Sequence, residues 1–294
     1  MARGTCFGFE IHSSLPFRYL RSGDGEPLQV ELGLADASTT GDHLLKEWKA
    51  PFEARLYGDG AAYRLWIAGS GWFEIDPLAP RIAVPEAAEP VRREEQLWGM
   101  PALLCFLARG RLPLHAAAVE VDGEAILLGG QRTLGKSTLA AGFADAGYRL
   151  LNEDLCCLDL SGRPAVIPGP AMLRVRPDVG ANLPLPFAQR TKQTDDRCHL
   201  ALDEASRGDC RPVPVRGIVF LQRSEDEVRV ERVPSVTAVR DLFSLSFRLP
   251  GEESRARCFM GVSDVARVVP VSVVRYPRRL DELPRIVEAI AALR

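Results

Sequence analysis

One short stretch constrains this chain more than any other. Gly130, Gly135, Lys136 and Ser137 fill the pattern G-x-x-x-x-G-K-[ST] within GGQRTLGKSTLA. The apolar run AILLGG before it and the alanine-rich run STLAAGFADAG after it predict a strand, a turn and a helix in that order. Glycines let the backbone turn successive N–H groups inward, and the helix N-terminus adds a positive dipole. The stretch is therefore typical of a loop that binds phosphate groups.

The lysine and the serine extend this chemistry. Lys136 is one of four lysines in a chain that otherwise uses arginine, and its compact ammonium suits the β- and γ-phosphates of a nucleotide. The Ser137 hydroxyl is a suitable magnesium ligand. The alternative is a glycine turn that only caps a helix. However, the four fixed residues of the pattern occur together by chance in roughly one chain in a few hundred. The expected nucleotide-binding residues are Gly130, Gln131, Arg132, Thr133, Leu134, Gly135, Lys136, Ser137 and Thr138.

An acidic pair follows the loop at a distance that suits phosphate chemistry. Glu153 and Asp154 come 17 and 18 residues after Lys136, in YRLLNEDLCC, at the end of the next predicted strand. Carboxyl ends of adjacent parallel strands lie beside the same crevice, so the pair is expected to face the bound triphosphate. One carboxylate could hold magnesium and the other could accept a hydroxyl proton. A solvated acidic turn is the alternative.

A histidine precedes the strand expected beside the phosphate loop. His115 lies in the apolar run LPLHAAAVEV, where a lone histidine is more often a core residue than a catalyst. Cys156 and Cys157, on the far side of the acidic pair, are expected to be small core residues.

The chain divides into two predicted regions. Residues 1–92 alternate short strand-like runs with turns and predict a small, mainly β domain, whereas residues 93–294 hold the phosphate loop. The segment PLAPRIAVPEAAEP is expected to be a linker or an edge segment. VRREEQLWGMPALLCFLARGR predicts a helix that Pro101 can kink, and the closing helix is expected to begin with Asp281 as its N-cap. Residues 176–196, with several prolines and polar residues, are predicted to be a loop.

Composition excludes several classes of protein. The 294 residues carry a formal net charge of −2, which gives no reason to expect binding to nucleic acid or to a membrane surface. Seven cysteines without a C-x-x-C pair indicate neither a disulfide framework nor a zinc ribbon. No signal-like or membrane-spanning run of apolar residues is found. We therefore expect a soluble, cytoplasmic protein.

Residues from about 112 to 158 resemble the catalytic domain of the HPr kinase/phosphorylase family, bacterial P-loop kinases that phosphorylate a serine. The shared order is a histidine, the phosphate loop, a helix that closes with glycine, and an acidic pair at this offset from Lys136. The resemblance implies that Glu153 stands at the family's catalytic aspartate, Asp154 at its second acid and His115 at its active-site histidine.

The resemblance also implies an α/β fold: a P-loop kinase core of the HPr kinase/phosphoenolpyruvate carboxykinase type beside the small β domain. ATP and Mg²⁺ are the expected cofactors, with Lys136 and the loop on the phosphates and with Ser137 and Asp154 on the metal. The expected catalytic residues are His115, Lys136, Glu153 and Asp154. Which of the two acids is the base is left open.

Departures from the family pattern bear on the acceptor. The first acid is glutamate, the signature tied to phosphorolysis is missing after Asp154, and the first ninety residues differ from the family's usual N-terminal domain. The chain is more similar to the shorter members that phosphorylate lasso-peptide precursors. A serine of a peptide or small protein is therefore the expected acceptor, and a homo-oligomer is possible. The alternatives are a small-metabolite kinase, a nucleotide hydrolase and a non-catalytic nucleotide-sensing protein.

Several weaker signals accompany this pattern. Arg174 and Arg176 alternate in LRVRPD, which predicts that both point to one face of a strand and could hold a phosphate or an acidic substrate. Lys192 and Arg197, in RTKQTDDRCHL, are also expected on a loop, where an ordinary charged surface is favoured over closure on the triphosphate. An edge strand of the β domain could pair with a peptide substrate.

Overall fold

The computed structural model describes residues 4–33, 43–49, 53–58, 61–131, 133–225 and 227–293, which form a mixed α/β structure with three sheets. The strands are β1 (Thr5–Cys6), β2 (Phe9–His12), β3 (Glu26–Gly33), β4 (Leu44–Trp48), β5 (Ala54–Gly58), β6 (Tyr63–Ile67), β7 (Gly71–Asp76), β8 (Arg81–Pro85), β9 (Leu112–Leu114), β10 (Ala116–Val121), β11 (Glu124–Gly129), β12 (Arg149–Asn152), β13 (Cys156–Asp159), β14 (Ala165–Ile167), β15 (Met172–Val175), β16 (Ala188–Gln193), β17 (Cys198–Leu202), β18 (Val213–Arg223), β19 (Arg229–Arg232) and β20 (Val271–Tyr276). The helices are α1 (Pro90–Leu97), α2 (Met100–Ala108), α3 (Lys136–Asp145), α4 (Pro177–Asn182), α5 (Glu204–Arg207), α6 (Ser235–Leu245), α7 (Glu252–Val268) and α8 (Leu283–Ala291). None of these described helices is long and apolar enough to cross a membrane.

The first sheet contains the strands before residue 86, in the order β1-β2-β3-β8-β7-β6-β5-β4. Buried and more exposed residues alternate along β5 and β6, as expected for strands with one face on a core. The linker prediction for PLAPRIAVPEAAEP is wrong, because β8 lies inside this sheet between β3 and β7. Its residues Ile82–Val84 are buried, so apolar content outweighed the flanking prolines.

The second sheet contains β11, which leads into the glycine-rich loop, and has the order β12-β10-β11-β18-β14-β13-β9, with β20 and β19 joined to β18. The Asp122-Gly123 hairpin between β10 and β11 is present, with φ of 53° and 78° at the two turn residues. β12 pairs antiparallel with β10, so the expectation that β12 lies directly beside β11 is wrong. Since β10 is antiparallel to both, β11 and β12 still run in the same direction and end at the same edge of the sheet.

The third sheet, β15-β17-β16, corrects the prediction of a loop at 176–196. Pro177 begins α4 at a position where its missing N–H costs nothing, and β16 pairs antiparallel with β17. The polar composition of β16 follows from its edge position, which leaves most of its side chains partly or fully exposed.

Helix boundaries differ from prediction at two places. The single kinked helix expected around Pro101 is two helices, α1 and α2, separated at Trp98 and Gly99, with Pro101 in the first turn of α2. At the last helix, Glu282 rather than Asp281 occupies the N-cap position. The Glu282 carboxylate pairs with Arg279 at 2.6 Å instead of capping the helix.

Among the described residues, three large apolar clusters hold these layers together. One packs α3 and α8 on one face of the second sheet, and another packs α6 and α7 on the opposite face. The third cluster joins the first sheet to α1 and α2, and it includes Cys157 and Ile167 from the second sheet. The prediction that Cys156 and Cys157 are buried core residues is confirmed. The division at residues 92 and 93 stays a prediction, since the first sheet shares its core with later elements.

Candidate active site

The glycine-rich segment between β11 and α3 is a tight loop with backbone angles that need glycine. Gly130 has φ of +144° and Gly135, at the start of α3, has φ of +105°, both in a region that side chains disfavour. Thr133 adopts φ of +69° within the same loop. Arg132 lies outside the described residues. The predicted strand, turn and helix are present in this order.

Two side chains from distant strands fix this loop. Tyr276, on β20, donates its hydroxyl hydrogen bond to the Leu134 carbonyl, and Arg223 Nη2 donates to the Thr133 carbonyl at 3.0 Å. A Cβ at Gly135 would lie 2.8 Å from the Tyr276 hydroxyl, so glycine is required by contact as well as by φ. Burial raises the Tyr276 pKa to about 12, which keeps the phenol a donor at neutral pH.

Lys136 points back over the loop. Its Nζ donates to the carbonyl oxygens of Gly130 at 2.8 Å and of Gln131 at 3.3 Å, and the residue is 7% exposed. Ser137 and Thr138 follow in the first turn of α3, where backbone N–H groups have no intrahelical partner. The loop, the lysine and the helix start therefore concentrate positive potential at one place.

Glu153 lies beside this loop and is almost completely buried, with 6% exposure. The Ser137 hydroxyl donates to Glu153 Oε1 at 2.8 Å, and Arg174 donates to Oε2 from Nε at 2.9 Å and from Nη2 at 2.8 Å. Burial raises the Glu153 pKa, and the adjacent Arg174 charge opposes that rise. Glu153 is thus a buried carboxylate held in a fixed position rather than part of a solvated turn.

Asp154 is the more accessible acid of the pair, with 46% of its side chain exposed. Its Oδ1 lies 3.3 Å from His115 Nδ1, and its Oδ2 lies 3.6 Å from Arg174 Nη2. His115 lies directly before β10, is partly exposed and contacts the Phe247 ring edge to face, with ring centroids 6.1 Å apart. His115 is therefore not a fully buried core histidine.

The sheet explains why these residues meet. β11 ends at the loop, β12 ends at the acidic pair, and β10 begins after His115. Because β10 is antiparallel to its neighbours, all three positions lie at one edge of the sheet. The structure brings His115, Ser137, Glu153 and Asp154 into one connected group through Arg174.

The contact between Ser137 and Glu153 fits a magnesium site. Neighbouring ligands in an octahedral Mg²⁺ shell, at 2.0–2.1 Å from the ion, are about 2.9 Å apart. The Ser137 Oγ to Glu153 Oε1 distance is 2.8 Å, so one ion can contact both oxygens with little movement. Within the described ranges there is no cluster of three or more His, Cys, Asp or Glu residues suited to a metal. The expectation that Asp154 shares a metal with Ser137 stays a prediction.

The weaker sequence signals separate in the structure. Arg174 lies on β15 and contacts both acids, whereas Arg176 precedes α4 and pairs with the exposed Asp178 at 2.9 Å. The two arginines therefore have different partners, and a shared face stays a prediction. Lys192 lies on β16 and its Nζ is 3.5 Å from Glu89, which contradicts its placement in a loop. Arg197 is exposed in the turn that follows that strand.

Sequence reasoning missed the loop-fixing pair Tyr276 and Arg223, and it missed the contact that His199 makes. His199 Nδ1 lies 2.8 Å from Glu95, on α1. No local pattern marks these residues, because each acts on a segment far away in the chain. The apolar run PVSVVRYP predicts the strand that carries Tyr276, but not the contact of its hydroxyl.

Comparisons with known proteins add little to this geometry. No protein-family model matches the chain, and no curated protein matches it. Among solved structures, the chain is similar to the Hpr(Ser) kinase/phosphatase from Coxiella burnetii, with 13% sequence identity and a TM-score of 0.31. The match covers 60% of this chain and 92% of the other chain. Similarity at this level carries no argument about function.

Proposed function

We propose that this protein is an ATP- and magnesium-dependent kinase that phosphorylates a hydroxyl group, that of a serine in a peptide or small protein. The observation that supports the proposal is the contact of Ser137, which follows Lys136 at the start of α3, with Glu153 of the acidic pair. The glycine-rich loop, the lysine, the hydroxyl and the two acids are the parts that phosphoryl transfer requires.

In this proposal the loop and Lys136 bind the triphosphate. Backbone N–H groups of the loop and the α3 N-terminus contact phosphate oxygens, and the Lys136 ammonium moves from the loop carbonyls to the β- and γ-phosphates. Ser137 and Glu153, in place of the Ser137 and Asp154 expected from the sequence, would hold magnesium, which would neutralise charge on the triphosphate. Arg174 keeps Glu153 in place, because two of its nitrogens contact one carboxylate oxygen.

Asp154 is the group we assign to the acceptor. It is the accessible acid of the pair, and His115 Nδ1 lies 3.3 Å from its Oδ1. The acceptor hydroxyl oxygen forms a bond to the γ-phosphorus as the bond from that phosphorus to the β,γ-bridging oxygen breaks and ADP leaves. Asp154 accepts the hydroxyl proton, and His115 orients the carboxylate.

The test is acceptor-dependent transfer of label from [γ-³²P]ATP with magnesium and pools of serine-containing peptides. We expect a labelled peptide whose mass increases by one phosphoryl group, and no labelled product when EDTA removes the magnesium. Binding of ATP without transfer to any peptide or metabolite pool would contradict the proposal. Release of phosphate without an acceptor would instead identify a hydrolase, and transfer only to a metabolite would replace the peptide acceptor.

A further inference from the structure

A cavity of about 450 Å³ lies between the first sheet, α2 and the segment that joins α6 to α7. Its volume is within the range of ordinary ligand sites. Its lining includes Lys46, Trp48, Ser246, Phe247, Arg248 and Arg255. Nothing in the proposed phosphate site uses them.

The lining combines apolar surface with positive charge. Trp48, Phe247 and other apolar side chains contribute the apolar part, and Lys46, Arg248 and Arg255 are exposed cations. None of the described residues that line the cavity is a carboxylate. Arg248 Nη1 is held by the carbonyl of Ser246 at 3.2 Å, which fixes the position of its guanidinium. The cavity therefore favours a ligand with both anionic and apolar groups.

The wall of this cavity touches the proposed catalytic group. Phe247, in the lining, packs edge to face against the His115 ring, and Ser246 forms an isolated bridge with Leu114. His115 in turn contacts Asp154. A chain bound in the cavity would thus have one end beside the acid that we assign to the acceptor hydroxyl.

The cavity also lies along the edge of a sheet. β4 is the last strand of the first sheet, and among the described strands it pairs only with β5. Lys46 and Trp48, two residues apart on β4, both line the cavity. An extended peptide that pairs with such an edge places alternate side chains on the same face as these two residues.

We infer that this cavity is the docking site for the acceptor of the proposed transfer, and that the acceptor segment is an extended peptide with acidic and apolar side chains near its serine. The inference rests on the proposed function, because only a transfer reaction has an acceptor. Charge complementarity with the three cations selects the acidic residues, and the edge of β4 selects an extended chain over a compact metabolite.

Direct binding tests this docking site without nucleotide. The probes are two fluorescein-labelled synthetic peptides of equal length, one with glutamates and leucines around a single serine, and one with lysines in place of the glutamates. We expect the glutamate peptide to bind at least about tenfold more tightly by fluorescence anisotropy, with a preference that weakens as salt is added. The variant Lys46→Glu/Arg255→Glu should lose this preference or reverse it.

Arg267→Glu is the matched control, because this exposed residue lies at the opposite end of α7 from Arg255. It should leave the affinity for both peptides unchanged, and circular dichroism should show that all variants are folded. Equal affinity of the native protein for both peptides, or an unchanged preference in the double variant, would overturn the docking site. ATP affinity measured on the same samples separates the two proposals. Peptide binding at the cavity can be absent while ATP still binds, and ATP binding can be absent while the peptide still binds.

Discussion

Glu153 is a carboxylate buried in a protein interior, and Arg174 supplies the charge that makes this possible. Burial of an unpaired carboxylate is costly, whereas two hydrogen bonds from a guanidinium offset much of that cost. The same contact raises the pKa of Arg174, since the charged form of each partner stabilises the other. The position of Glu153 beside Ser137 therefore depends on one residue from another sheet.

Replacement of Arg174 is predicted to destabilise the fold. Arg174→Gln leaves a buried carboxylate without its partner and should lower the free energy of unfolding by about 3 kcal/mol, measured by urea denaturation. Arg176→Gln is the control, because its pair with Asp178 is exposed and is worth about 1 kcal/mol or less. Equal effects of the two substitutions would show that Arg174 is an ordinary surface residue.

The two acids are predicted to differ in what they contribute. Glu153→Gln should weaken the magnesium-dependent part of ATP binding, because Glu153 shares the proposed ion with Ser137. Asp154→Asn should leave ATP affinity within about twofold and slow transfer about 100-fold or more, as expected for loss of a general base. Magnesium titrations and single-turnover transfer distinguish the two. The reverse pattern would exchange the assigned roles.

At the scale of elements, the loop is a local feature whose geometry is completed by distant strands. The glycines, the lysine and the helix that follows are all readable from adjacent residues. Tyr276 is separated from Leu134 by 142 residues, and Arg174 is separated from Glu153 by 21. Such contacts depend on strand order, which local patterns do not determine, so sequence analysis found the loop and the acids but not what holds them.

Loss of the Tyr276 hydroxyl is predicted to loosen the glycine-rich loop. Tyr276→Phe removes the hydrogen bond to the Leu134 carbonyl and should weaken ATP binding about fivefold, with only a small loss of stability. Tyr148→Phe is the control, since the ring of Tyr148 packs on Phe143 and the residue directly precedes β12. Calorimetric titration with ATP measures both. Unchanged ATP affinity in Tyr276→Phe would contradict a role in loop geometry.

Several element predictions failed for identifiable physical reasons. Prolines in the segments of β8 and α4 favour a linker and a loop over regular structure. The β8 segment nevertheless has a buried apolar run, and α4 begins at a proline. The expected position of β12 was wrong because the β10–β11 hairpin places β10 between them. The conclusion that the acids face the loop did not depend on adjacency, since strand direction alone puts both ends at one edge.

At the scale of the whole molecule, the first sheet and the later elements are joined by buried polar contacts as well as by a common core. Arg21 is 2% exposed and donates to the carbonyls of Gly169, Leu150 and Leu151. Glu94, on α1, accepts hydrogen bonds from the backbone N–H groups of Arg18 and Tyr19. The strand that ends at the acidic pair, β12, is thus tied to the N-terminal region.

Glu94 is predicted to make stability depend on pH. Burial raises its pKa from 4.5 to about 7. Below pH 4.5 the carboxyl is protonated in both states, and as the pH rises to 7 only the unfolded state ionises freely, so stability falls. Relative to Glu94→Gln, the native protein should lose about 3 kcal/mol across this window in urea denaturation. Parallel pH profiles for the two proteins would show that Glu94 ionises normally in the folded state.

The central claim is that residues 130–137 form a triphosphate site beside Glu153 and Asp154. Calorimetric titration of MgATP into the native protein and into Lys136→Ala tests it most directly, with Lys192→Ala as the control because that lysine lies on β16 and pairs with Glu89. We predict that the native protein and the control bind MgATP alike and that Lys136→Ala binds about 100-fold more weakly. No binding by the folded native protein, or equal binding by Lys136→Ala, would contradict the claim.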